Sequence, residues 1–199
     1  HGFIEWDHDI DIVIQYPDQN KVREVLKKNL PPQYIYLSSD KDTVAAFDCI
    51  HLVGVHPQKM HIDLYPLVGG PQDLKKQRRY QTNMRIISKI VNCKYDSISN
   101  LKKKWKIPFV CFIKCVEYLF PNRLIRSFVN GYLSKYPFYE SKLLIPVGNN
   151  GNISEYMPRE VWLETIRTDF EGINLPIPRF YVLNLSNIYG SDYMTPKRF

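Results

Sequence analysis

In Asp7-His8-Asp9-Ile10-Asp11-Ile12-Val13-Ile14, acidic and apolar side chains alternate and then give way to a β-branched run. Period two in a stretch this rich in Ile and Val predicts a strand with a buried face. Asp7, Asp9 and Asp11 then share one face, while Ile10, Ile12 and Ile14 enter the core. Tyr16-Pro17-Asp18 turns the chain. Asp18 is the expected N-cap of a helix from Gln19 to Asn29, with Val22, Val25 and Leu26 as its apolar face. Pro31-Pro32 ends that helix. Tyr34 to Leu37 predicts a strand, Ser38 to Asp42 a polar turn, and Val44 to Val55 a mixed strand-like stretch. Met60 to Leu67 follows as a further strand after the turn at His56-Pro57.

The alternation returns in Lys59-Met60-His61-Ile62-Asp63-Leu64-Tyr65-Pro66-Leu67, with His61, Asp63 and Tyr65 on one face. Asp63 interrupts an apolar strand as Asp9 and Asp11 do, and it joins them if the two strands are neighbours. Gly69-Gly70-Pro71 is expected to break the chain. Asp73 to Val91 reads as a basic helix carrying Lys75, Lys76, Arg78, Arg79, Arg85 and Lys89. From residue 94 to 140 the texture changes to basic and aromatic: Lys102-Lys103-Lys104, then Trp105 to Phe120, then Arg123, Arg126 and Lys135. Phe109, Phe112, Ile113, Val116, Leu119 and Phe120 fall at helical spacing. An inserted helical segment packed on the sheet is expected here; the alternative is a surface resting on an anionic bilayer. Leu143 to Pro146 is a short strand, Gly148 to Asn152 a loop, and Pro158 the first turn of a short helix. Asp169 to Pro178 reads as a hairpin, Asn184 to Tyr189 as a short helix, and Gly190 to Pro196 as the close of the domain.

Composition narrows the class. With 199 residues the chain suffices for one ordinary domain, and no repeat or linker marks a second. A formal charge of +7 admits phosphate-rich ligands, nucleic acid or an anionic membrane as partners. The longest apolar stretch, Ile107 to Phe120, is interrupted by Lys114 and Glu117 and is too short to span a bilayer. Cys49, Cys93, Cys111 and Cys115 form no paired framework and are expected as reduced, mostly buried thiols in a cytosolic setting.

The acidic residues carry the chemistry. Asp9 and Asp11 stand about 7 Å apart along an apolar strand. Their repulsion is costly unless a cation bridges them or one stays protonated. Mg²⁺ binds carboxylate oxygens and shares its shell with substrate phosphates, so a metal-held phosphate site is expected. The alternative is a solvated edge strand with an acidic outer face.

Four segments, in order, resemble the LicD family, which includes bacterial phosphorylcholine transferases and the animal fukutin and fukutin-related ribitol-phosphate transferases. Phe3-Ile4-Glu5-Trp6-Asp7-His8-Asp9-Ile10-Asp11-Ile12 is similar to the family's metal-binding segment, and Ile62-Asp63-Leu64-Tyr65-Pro66-Leu67 to its second acidic strand. Phe170-Glu171-Gly172-Ile173-Asn174-Leu175-Pro176-Ile177-Pro178 resembles its C-terminal hairpin, and Tyr189-Gly190-Ser191-Asp192-Tyr193-Met194-Thr195-Pro196 its closing motif. The middle, from about Asp73 to Lys142, matches only in its basic and aromatic character. The resemblance implies an α+β, nucleotidyltransferase-like fold: a mixed sheet flanked by helices, with residues 94–140 inserted.

It further implies transfer of a phospho-alcohol, with phosphocholine from CDP-choline as the leading expectation, to a hydroxyl of a cell-surface glycan. Lipopolysaccharide, capsule or teichoic acid would be the acceptor. Carried over position by position, Asp9, Asp11 and Asp63 hold Mg²⁺ or Mn²⁺ and do the catalysis, with Asp7 beside them. Trp6, Tyr189 and Asp192, from the matched motifs, and Arg79, from the basic helix, are the expected donor-binding residues. A CDP-linked donor and a lipid-linked glycan acceptor imply a cytoplasmic protein with peripheral contact at the inner face of a bacterial membrane.

The pattern departs from the family in two places. Glu5 and His8 stand where the family usually has Pro and Asp. The family also carries a helix and a Gly-Ser/Thr-rich phosphate loop ahead of the first segment, so this chain is expected to be a fragment lacking them. Other readings are transfer of glycerol- or ribitol-phosphate or another nucleotide-linked group, an inactive scaffold, and a basic nucleic-acid-binding module. The last is disfavoured, since the strongest local signal is acidic and no nucleic-acid motif appears.

Overall fold

The computed structural model describes residues 2–38, 47–55, 60–93, 107–148 and 153–195. The second acidic strand, which we label β4 (His61–Gly70), organises the sheet and is buried without a break from Pro66 to Gly70. Three strands pair with it. β1 (Asp9–Gln15) runs parallel to it along His61 to Leu67, β3 (Asp48–Leu52) antiparallel along His61 to Leu64, and β5 (Leu143–Pro146) antiparallel along Leu67 to Gly70. β2 (Tyr34–Leu37) extends the sheet beyond β3, and β6 (Met157–Pro158) beyond β5. The protein is therefore α+β, a six-stranded mixed sheet flanked by helices, with the hairpin β7 (Thr165–Phe170) and β8 (Ile173–Pro178) separate from it.

The expected break at Gly69-Gly70 is a continuation of β4. A Cβ on Gly69 would collide with the Tyr136 carbonyl oxygen and the Ser141 hydroxyl, and one on Gly70 with the Tyr156 ring. These glycines admit close neighbours to a paired strand rather than ending it.

The core lies over this half of the sheet. α2 (Leu74–Cys93) buries Gln77, Tyr80, Gln81, Met84, Ser88 and Val91, spaced three and four apart on one face. Its basic residues point outward. Asp73 caps it, accepting a bond from the Lys76 backbone N–H at 2.9 Å. Tyr80, Met84 and Val91 pack with Val68, Ile145 and Val147 of the sheet side and with Val129 and Leu133 of α4 (Asn122–Leu133). A smaller cluster joins Leu67, Leu144 and Phe138 to Trp162 and Leu163 of α5 (Arg159–Leu163). α1 (Gln19–Asn29) is tied to the sheet by Arg23, which donates to Asp48 through Nε at 2.8 Å and through its terminal nitrogen at 2.9 Å. Tyr36 donates to the same buried carboxylate at 2.6 Å.

Further expectations are corrected or refined. β1 is a strand, but Ile10 and Ile12 are 46% and 43% exposed, because the helices that build the core pack over Val68, Ile145 and Val147 rather than over β1. α3 (Ile107–Leu119) buries Val110, yet Phe112 and Leu119, with the following Phe120, are exposed, so the inserted segment is only partly packed on the core. Asp18 stands at the N-cap of α1 as expected but makes no side-chain bond to it, and Pro158 both ends β6 and stands at the N-cap of α5, one residue ahead of its first turn. Among the thiols, Cys49 and Cys111 are half-buried and Cys115 is exposed, against the expectation of burial. The turns expected at 39–42 and 56–57, the loop 149–152, and Lys102 to Trp105 lie outside the described residues.

Candidate metal centre

The parallel pairing of β1 with β4 sets Asp9 opposite His61, Asp11 opposite Asp63, and Val13 opposite Tyr65. Neighbours in register project to the same face, so two strands that each alternate acidic with apolar residues build one acidic surface. His61 Nε2 stands 3.8 Å from Asp9 Oδ2 and 3.7 Å from Asp63 Oδ1. Both separations are too long for direct hydrogen bonds. One ligand atom from each of Asp9, His61 and Asp63 falls within 4.8 Å of the others.

Burial graded across the cluster sets its electrostatics. Asp63 is buried, and its Oδ2 accepts the Tyr65 hydroxyl at 3.0 Å. Cys49, opposite Asp63 on β3, also bonds to that carboxylate; burial and the Asp63 charge push its thiol up to about 12, which leaves it unreactive near neutrality. Partial burial, followed by the charges of Asp9, Asp63 and Asp7, raises the Asp11 carboxyl to about 6. Asp7 is likewise raised, by burial and by its hydrogen bond to Asp9. Four carboxylates thus crowd one surface, and among the described residues no Lys or Arg forms an ion pair with any of them. Such a cluster is frustrated when it must carry its full charge.

The expected residues are brought together unequally. Asp9 and Asp63 come within ligand distance of each other and of His61, whereas Asp11 faces Asp63 and feels both charges without joining that group; Asp7 is close enough to raise the Asp11 carboxyl, although it precedes β1 instead of lying on it. Tyr189, the last residue of α6 (Tyr181–Tyr189), borders the cluster; burial and then the charges of Asp11, Asp7 and Asp9 raise its hydroxyl. Trp6 lies in the turn closed by the Asp7 N–H bond to the Ile4 carbonyl, just ahead of the cluster. Asp192 sits in the turn after α6. Arg79 lies on the exposed face of α2 and enters no contact with the acids. The residue given no role in advance is His61. Its alternation with Asp63 was visible, but only the register against Asp9 sets its ring between two carboxylates.

The atoms close enough to share one ion are two carboxylate oxygens and one ring nitrogen. The carboxylate oxygens of Asp9 and Asp63 are the hard ligands Mg²⁺ prefers, the His61 nitrogen beside them is a ligand better matched to Mn²⁺, and Asp11 falls outside this close group. Compared with known proteins, the chain matches no family model, no curated protein and no solved structure.

Proposed function

We propose that the protein is a metal-dependent phosphotransferase of the LicD type. On this reading it moves a phospho-alcohol, with phosphocholine the leading candidate, from a CDP-linked donor to a glycan hydroxyl. The observation that carries the proposal is the β1–β4 register, which brings Asp9, Asp11 and Asp63 from two separated motifs onto one surface, with no Lys or Arg paired to them among the described residues. The order of the four sequence motifs supplies the reaction class, and the mixed sheet with its acids on adjacent parallel strands agrees with a nucleotidyltransferase-like frame.

In this reaction the acceptor oxygen forms a bond to the phosphorus of the phospho-alcohol. The bond from that phosphorus to the bridging oxygen breaks, and its electron pair leaves with CMP. Asp9, Asp11 and Asp63 would hold the cation, with His61 as a fourth donor. When bound, the ion supplies charge neutralisation on the diphosphate and on the leaving CMP. A carboxylate of the cluster takes the proton of the attacking hydroxyl. Tyr65 holds the buried Asp63 carboxylate in orientation through its 3.0 Å bond, and the Tyr189 hydroxyl is near enough to feel the charge of the acids.

The test is CMP release from CDP-choline, CDP-glycerol and CDP-ribitol, in Mg²⁺ or Mn²⁺, with a lipid-linked glycan acceptor. Turnover of one donor, lost on chelation and in both Asp9→Asn and Asp63→Asn, is expected. Turnover that survives both substitutions would sink the metal-centred mechanism. Donor binding without turnover in every condition would favour the inactive scaffold.

A further inference from the structure

α3 and α4 are joined by the bend at Phe120-Pro121, and each carries apolar residues on two faces. One face of α4 is accounted for: Ile125, Val129, Tyr132 and Leu133 pack in the core. A second stripe, Leu124 and Phe128 one turn apart, is exposed, Phe128 by 63%. On α3, Phe112, Cys115 and Leu119 follow one another at three- and four-residue spacing on the outer face, with Phe112 67% and Leu119 76% exposed. Phe120, at the bend between the two helices, is itself exposed. Apolar side chains placed this densely on a surface mark a docking site.

Charge identifies the occupant. α3 and α4 together carry Lys114, Arg123 and Arg126 against Glu117 alone. Within the described helices, Lys114, Arg123 and Arg126 lie among the exposed apolar residues. A protein partner covering an apolar face needs no such excess, and a second copy of this chain would bring the same positive charge against it. Aromatic and aliphatic side chains interleaved with basic ones match the interface of an anionic bilayer, apolar groups entering the acyl boundary and cations the headgroups. No helix among the described residues is long and apolar enough to cross a membrane, so the contact is peripheral.

We infer that the outer face of α3 and α4 docks on an anionic lipid surface through Phe112, Leu119, Phe120, Leu124 and Phe128, flanked by Arg123 and Arg126. This inference does not rest on the metal centre. The experiment is flotation of the full chain with phosphatidylcholine vesicles, with and without phosphatidylglycerol. The set includes Phe112→Ser/Leu119→Ser/Phe128→Ser, Arg123→Gln/Arg126→Gln, and Asp9→Asn as the control for the site. Binding to the anionic vesicles alone is expected. The arginine pair should weaken it about thirtyfold, at roughly fivefold per charge near such a surface. The serine variant should abolish it while keeping its unfolding midpoint, since those side chains are exposed, and Asp9→Asn should leave it unchanged. Absence of vesicle binding, or binding that survives the serine substitutions, would overturn the inference. So would a wild-type dimer in sedimentation equilibrium that the serine variant dissolves.

Discussion

Replacing Asp11 with Asn should stabilise the metal-free protein at neutral pH and leave it unchanged in acid. Asp11 has a folded-state pKa of about 6 against 3.8 for a free side chain, raised by burial and by Asp9, Asp63 and Asp7. The native state therefore holds this proton more tightly than the unfolded chain. The penalty is absent below about pH 4, grows as pH rises through the interval, and is complete above about pH 6. Two units correspond to at most about 3 kcal/mol, and because the partly buried Asp11 side chain still reaches solvent, screening reduces the expected gain to about 1 kcal/mol. With a urea slope of roughly 2 kcal/mol per molar, the midpoint of Asp11→Asn should lie about 0.5 M above the parent at pH 7.5 with chelator present. At pH 4 the two curves should coincide. Saturating Mn²⁺ or Mg²⁺ should then invert the order, since an ion at a hundred times its dissociation constant adds about 2.7 kcal/mol to the parent and less to the variant. An equal gain at both pH values, or a loss at pH 7.5, would refute the account of a frustrated carboxylate cluster.

His61→Ala should weaken Mn²⁺ binding about tenfold or more and Mg²⁺ binding much less, because only the softer ion values the imidazole nitrogen; calorimetric titration of both ions decides it. Asp48→Ala leaves Arg23 and Tyr36 facing an empty buried site and should cost about 3–5 kcal/mol in urea unfolding, most of it recovered in Arg23→Met/Asp48→Leu. The β7–β8 turn places Glu171 and Gly172 at positive φ, 53° and 76°. Gly172→Ala should therefore cost about 1 kcal/mol, and Glu171→Gly should come close to neutral or stabilise, both read from thermal melts.

The sequence by itself determined the local elements and the chemistry of their faces. Period two around Asp9–Ile14 and His61–Leu67, the span of α1 from Gln19 to Asn29, the strands at Tyr34–Leu37 and Leu143–Pro146, and the hairpin before Pro178 all follow from near neighbours, whose steric and solvation preferences act over a few residues. It also supplied the candidate acids, because a carboxylate on an apolar strand is conspicuous wherever the strand lies. Only the tertiary structure decided which faces are covered and which residues meet. The exposure of Ile10 and Ile12, the continuation of β4 through Gly69 and Gly70, and the outward face of α3 depend on where α2 and α4 pack, a choice made by segments distant in the chain. The pairing of Asp9 with His61 and of Asp11 with Asp63 is likewise a matter of register: a shift of one residue would send each set to the opposite face, and no local pattern fixes it.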